Sequence, residues 1–112
     1  MSEQMPIMRQ YLAIKREIPT GTILLLRSGD FYEMFGEDAV VSAPICDLAL
    51  TQRDGVPMCR LSCLPICKYI SRFARCGKRI ALAEVIEMTR DGVEYEVTRI
   101  VRLEVTEMES SK

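Results

Sequence analysis

The chain has 112 residues, 48% apolar and 28% charged, a balance that suits one globular domain and excludes a disordered or fibrous chain. Its formal net charge of −1 by itself argues neither for nor against a nucleic-acid partner. An apolar run such as Ile23 to Leu26 is far too short to span a bilayer, and Met1-Ser2-Glu3-Gln4 lacks the parts of a signal peptide, so no membrane contact and a cytoplasmic location are expected.

Pro6 suits the first turn of a helix, and Ile7, Met8, Tyr11, Leu12 and Ile14 then recur at helical spacing. A helix is predicted over Pro6 to Glu17, ended by Pro19-Thr20-Gly21. Thr22 to Arg27 is a short apolar run between turn residues and predicts a buried strand. Ser28-Gly29-Asp30 is a turn, and Phe31 to Phe35 a second short strand. Glu37 to Val41 predicts a short helix that stops ahead of Pro44, because a proline pushes the residue before it away from helical geometry. Leu48 to Thr51 and Val56 to Leu61 predict two strands around Arg53-Asp54-Gly55.

The strongest helical pattern lies between Ser62 and Gly77. Pro65 fits its first turn, Ile66, Tyr69, Ile70 and Phe73 form its apolar stripe, and Gly77 suits its C-terminal cap. Arg79 to Met88 and Val93 to Val105 predict a hairpin about Arg90-Asp91-Gly92. The residues from 106 to 112 read as a flexible tail. These elements predict a single layered α/β (α+β) domain over residues 1–112, with a mixed sheet and about three helices.

Charge is unevenly distributed. Between Gly55 and Ala83 stand Arg60, Lys68, Arg72, Arg75, Lys78 and Arg79 with no acid, whereas six acids follow Arg90 against three bases. Five cysteines in a reducing compartment read as free thiols. The spacing by four of Cys59, Cys63 and Cys67 invites a metal, but there is no CxxC pair and no histidine, so small buried hydrophobes are the better reading. No metal and no cofactor are expected.

The segment Arg27-Ser28-Gly29-Asp30-Phe31-Tyr32-Glu33-Met34-Phe35 resembles the R-x-G-D-F-Y-E-x-F segment of the N-terminal mismatch-recognition domain of the MutS DNA mismatch repair family. The likeness runs along nearly the whole chain, in order. Met8 to Leu12 resembles the family's opening helix. Glu37-Asp38-Ala39 resembles its D-D-A segment and Leu50-Thr51-Gln52-Arg53 its L-T-K-R segment. Pro57-Met58, Tyr69-Ile70, Gly77 to Ala81 and Val97 to Val101 match further stretches up to its V-x-R-I-V strand. The chain departs from the pattern in three places. Arg60 to Pro65 stands where G-V-P-Y-H-A is usual, Gln52 replaces the lysine of L-T-K-R, and Arg102 to Val105 replaces a closing T-P-G-T.

The resemblance implies a MutS N-terminal domain-like fold and a non-catalytic, DNA-binding role. In the family the phenylalanine of F-x-E enters the minor groove and stacks on a mispaired base, and the glutamate hydrogen-bonds to that base. Those roles fall on Phe31 and Glu33. A mispair is cheaper to unstack than a matched pair, and an aromatic ring recovers about 1–3 kcal/mol by stacking on a base. Glu33 would need a donor, either a base N–H or its own proton. Arg27, Arg53, Lys68, Arg72 and Lys78 are the candidates for phosphate contacts, which position without reading sequence. The expected partner is double-stranded DNA carrying a mismatch or distortion. There is no Walker A motif and none of the family's connector, lever, clamp or ATPase domains, so the chain reads as a stand-alone domain or a fragment. A partner protein supplying clamp or ATPase functions is then implied.

Read without the family, Phe31 is a core residue, Glu33 a solvated carboxylate and the basic helix face merely solvated. Two other functions compete. A protein-interaction module that kept the fold and lost mismatch recognition is favoured by the acidic C-terminal strand and the near-neutral charge, and a Phe31 packed into the core would support it. A nuclease built on Asp30, Glu33, Asp47 or Glu84 is disfavoured, because histidine is absent and no (D/E)-x-K follows a suitable aspartate.

Overall fold

The computed structural model describes residues 6–104. Three helices, α1 (Pro6–Lys15), α2 (Glu37–Cys46) and α3 (Ile66–Arg75), are interleaved with six strands: β1 (Ile23–Ser28), β2 (Phe31–Phe35), β3 (Thr51–Arg53), β4 (Val56–Ser62), β5 (Ile80–Arg90) and β6 (Val93–Glu104). The strands form one sheet in the order β3-β4-β2-β1-β5-β6. Only β1 and β5 run parallel; the other neighbours are antiparallel. The expected mixed sheet with three helices is therefore found.

Both faces of the sheet are covered, and this explains the uninterrupted apolar run of β1. Side chains alternate across a strand. Ile23 and Leu25 join Met34, Leu61, Phe73 and Leu82 in a core that includes α2 and α3 residues. Leu24 and Leu26 join Met8, Tyr11, Ile14, Phe35 and Met58 in a second core beneath α1. Tyr32 packs against the first core. β6, which carries Glu94, Glu96 and Glu104, is the far edge strand, and β1 and β5 lie between it and β2.

A buried polar cluster ties the layers together. Asp38, only 8% exposed, accepts from the Leu24 amide at 3.1 Å and from Lys15 Nζ at 3.1 Å. The Tyr11 hydroxyl reaches Asp38 Oδ2 at 2.5 Å and the Leu24 carbonyl at 2.8 Å. The β1–β2 ladder starts only at Leu26 and Glu33, and Asp38 takes the Leu24 amide beyond its end. Burial first, then the Asp38 carboxylate, holds the Tyr11 phenol well above its usual pKa.

Two element boundaries differ from expectation by more than two residues. α2 runs through Pro44 to Cys46 instead of stopping before it. Ala39, Ala43 and Cys46 recur along its inner face and are buried; that packing offsets the proline, whose cost in a helix interior is about 3 kcal/mol. The strand expected over Leu48 to Thr51 instead covers Thr51–Arg53, since only Thr51, Gln52 and Arg53 find partners across β4. By contrast α3 closes as its pattern requires. Gly77 takes φ +69°, and the Lys78 amide donates to the Phe73 carbonyl at 2.9 Å, the long bond of a Schellman cap. Asp91 and Gly92, at φ +54° and +78°, make the expected turn between β5 and β6. The tail expected over 106–112 lies outside the described residues.

Candidate nucleic-acid interface

Phe31 is the first residue of β2, immediately after the two-residue turn Gly29-Asp30 that joins it to β1. Gly29 has φ +63° while Asp30 does not enter the positive region, the pattern of a II′ hairpin turn, which takes glycine at its first position. The turn is braced twice. Arg27 Nε donates to the Gly29 carbonyl at 3.1 Å, and the Cys63 amide donates to the Asp30 carbonyl at 3.0 Å. Phe31 is thus presented at a held hairpin tip. It belongs to neither core and is 36% exposed.

Residues two apart on a strand share a face, so Phe31, Glu33 and Phe35 point the same way. Phe35 closes the series inside the α1 core, with its ring edge-on to Tyr11 at 5.3 Å between centroids. Glu33 sits between. It is buried at 3% exposure, and it is not the solvated carboxylate that composition alone predicts. Arg53 explains how the charge is tolerated: Nη1 donates to Oε1 at 3.3 Å and Nη2 to Oε2 at 3.2 Å, a forked pairing that only a guanidinium makes. The Arg53 guanidinium also lies 5.7 Å from the Phe35 ring centre.

The register of β2 with β4 sets Arg60 directly across from Glu33 and Ser62 across from Phe31. Arg60 lays its guanidinium over the Phe31 ring, 4.4 Å from its centre. Sequence reasoning counted Arg60 among the basic residues without placing it at this site. The signal available was the register: two residues before a partner of Phe31 on an antiparallel neighbour means the same face.

The basic candidates for phosphate contacts separate in space. Arg27 stands at the Phe31 end of the sheet, whereas Arg53 pairs with Val56 at the other end of β4 and reaches back along the sheet to Glu33 and Phe35 with its guanidinium. Lys68 is exposed in the first turn of α3, Nζ 5.9 Å from the Tyr69 ring centre; that helix begins just after Cys63, so Lys68 belongs to the same end. Arg72 is engaged elsewhere. Its Nη1 donates to the Cys46 carbonyl at 3.0 Å, tying α3 to the end of α2, where a cation also suits the helix dipole. Lys78 stands at the opposite end. It precedes β5, whose Ile80 pairs with Ile23 at the start of β1, while Phe31 pairs with Ser28 at its end. Five strand residues at 3.3 Å each separate the two levels by roughly 17 Å. Lys78 lines a cleft of about 550 Å³ there, with Lys15, Tyr11 and Asp38.

The three evenly spaced cysteines do not share a surface. Cys59 is buried under α2, its thiol 3.7 Å from the Ala39 carbonyl, Cys63 is half-buried, and Cys67 is exposed. Burial pushes the Cys59 thiol up to about 12 and that of Cys46 to about 11.

Residues 5–108 match the family model of MutS domain I. The chain belongs to the MutS domain I family. Among curated relatives it is 44% identical over 99 residues to the DNA mismatch repair protein MutS of Leptospira interrogans, covering 88% of this chain and 12% of that protein. It is 39% identical over 109 residues to the MutS of Syntrophobacter fumaroxidans, covering 90% of this chain and 12% of the relative. The MutS of Syntrophomonas wolfei is 40% identical over 109 residues, with 90% and 13% covered. This MutS domain I chain therefore spans about an eighth of the length of the relatives it matches. No helix among the described residues is long and apolar enough to cross a membrane.

Proposed function

We propose that this chain is a non-catalytic DNA-binding module for duplexes with a mispaired or distorted base step. Phe31 stacks on the disturbed base and Glu33 accepts a hydrogen bond from it. The observation that carries the reading is the exposed Phe31 ring, outside both cores, at the tip of a braced hairpin. An exposed aromatic at such a tip offers a face for stacking without unfolding anything else. The relatives are named DNA mismatch repair proteins, which supports the choice of ligand.

Glu33 shares the Phe31 face and is oriented in advance by Arg53. Because Glu33 is buried and both its oxygens are held by Arg53, a base N–H would be accepted only in exchange for one of those two hydrogen bonds, with the Arg53 side chain giving way. Arg27 and Lys68, at the same end, are the phosphate contacts the geometry favours. Arg72 and Lys78 are held back by their bond to α2 and their distance. Partner domains that supply clamp and ATPase functions would add the affinity that one small domain with few phosphate contacts does not reach. A Phe31 packed into the core would have supported the competing interaction module; its exposure withholds that support.

Fluorescence anisotropy with matched and G·T duplexes at low salt tests this. The chain is expected to prefer the G·T duplex, and Phe31→Ala to lose about 1–3 kcal/mol of binding to it, the worth of one aromatic–base stack. Equal binding of both duplexes, unchanged by Phe31→Ala, sinks mismatch recognition.

A further inference from the structure

We infer that Arg60 is a third DNA-contacting residue of this surface, holding Phe31 for stacking on one ring face and carrying its own charge to a DNA phosphate. The inference rests on the DNA-binding reading above and extends it to a residue that the F-x-E pattern does not include. Arg60 opens the stretch Arg60 to Pro65, where this chain departs from the pattern it resembles.

Three observations carry it. First, Arg60 is exposed and its guanidinium lies 4.4 Å from the Phe31 ring centre. A planar cation over an aromatic face is attracted by the ring's negative face, and it restricts the ring without removing it from solvent. Second, the nearest carboxylate by register, Glu33 across the β2–β4 ladder, is already held through both oxygens by Arg53. Arg60 joins no ion pair among the described residues, so none of these neighbours neutralises a charge that DNA would have to free. Third, β4 is the strand beside Phe31, so a duplex close enough to stack on the ring brings its backbone near Arg60. Narrow minor grooves also concentrate negative potential and draw arginine. A base on the free side of the ring would complete a stack of base, phenyl and guanidinium.

The test is anisotropy with matched and G·T duplexes across a salt series, using the whole chain as wild type, Phe31→Ala, Arg60→Ala and Arg60→Lys. Circular dichroism checks that each variant is folded; Arg60 is a surface residue and its loss should leave the cores intact. Losing one phosphate contact lowers the slope of log affinity against log salt by about one. Between 50 and 200 mM salt the wild type should therefore lose roughly 3.5-fold more affinity than Arg60→Ala, since a fourfold change in salt is raised to the power 0.9 per contact. The preference for G·T should also shrink in Arg60→Ala, because the ring is no longer held. Arg60→Lys keeps the charge and lacks the planar group, so it should keep the salt slope and lose part of the preference.

A Phe31-dependent preference that Arg60→Ala leaves unchanged, with an unchanged slope, overturns the role of Arg60 alone. Tighter binding by Arg60→Ala also overturns it, since Arg60 would then be a cover over the ring. If the wild type does not prefer G·T, or Phe31→Ala keeps the preference, the underlying reading fails and the Arg60 assignment falls with it.

Discussion

The pairing of Arg53 with Glu33 yields a prediction whose size follows from the geometry. The Glu33 side chain is 3% accessible, the Arg53 side chain 34%. Removing a partner from a fully buried ion pair costs about 3–5 kcal/mol, because a charge is left in the interior alone. Arg53 is one-third open to water, which screens the pair, and its hydrogen bonds of 3.2 and 3.3 Å are long for a forked contact. The expected cost of Arg53→Ala is therefore about 2 kcal/mol. Glu33→Gln removes the buried charge instead, and Arg53 then turns to solvent, so about 1 kcal/mol is expected. In the double variant no charge is stranded, and its cost should fall short of the sum by about 1 kcal/mol. Urea unfolding followed by circular dichroism measures all four corners of this cycle. Costs that add within about 0.5 kcal/mol would refute the idea that Arg53 is what makes the buried carboxylate tolerable.

Two further outcomes follow from the interior. Asp38→Ala leaves the Leu24 amide without its acceptor and takes the counter-charge from Lys15; a loss of about 3 kcal/mol in urea midpoint analysis is expected, and a loss under about 1 kcal/mol would show the cluster to be dispensable. Stability should also fall in alkali. The folded thiols of Cys46 and Cys59 are raised from 9.0 to about 11 and about 12, and Tyr11 is raised in the same direction. A raised pKa means that the protonated form is the one folding favours. Its contribution is complete below pH 9 and is lost as pH rises toward 11 and 12. The melting temperature should drop over that window, and the Cys59→Ala variant should show a shallower drop; a flat profile to pH 11 argues against it.

Much of this protein was legible in the sequence because the signals were local. β2 begins and ends at the expected residues, since a glycine turn precedes it and alternation runs through it. The α3 stripe and its Gly77 cap were readable because helix spacing and a positive φ are properties of a few neighbours. The long motif around Phe31 also marked the segment that carries the proposed site. Local signals failed where a distant surface decided the result. The proline rule ended α2 too early because it ignores the core that holds Ala43 and Cys46. Charge alone nominated Arg72 and Lys78, while packing sent one to the α2 carboxyl end and the other to the far end of β1.

The F-x-E segment itself divides the same way. The sequence alone determined that Phe31 and Glu33 share a strand face, because the period of two is a property of the backbone. Only the tertiary structure decided that Phe31 is exposed, that Glu33 is buried against Arg53, and that Arg60 covers one side of the ring. Those three facts depend on which strands lie beside β2 and in what register. Pairing of that kind joins residues some twenty to thirty positions apart, beyond the reach of any local rule.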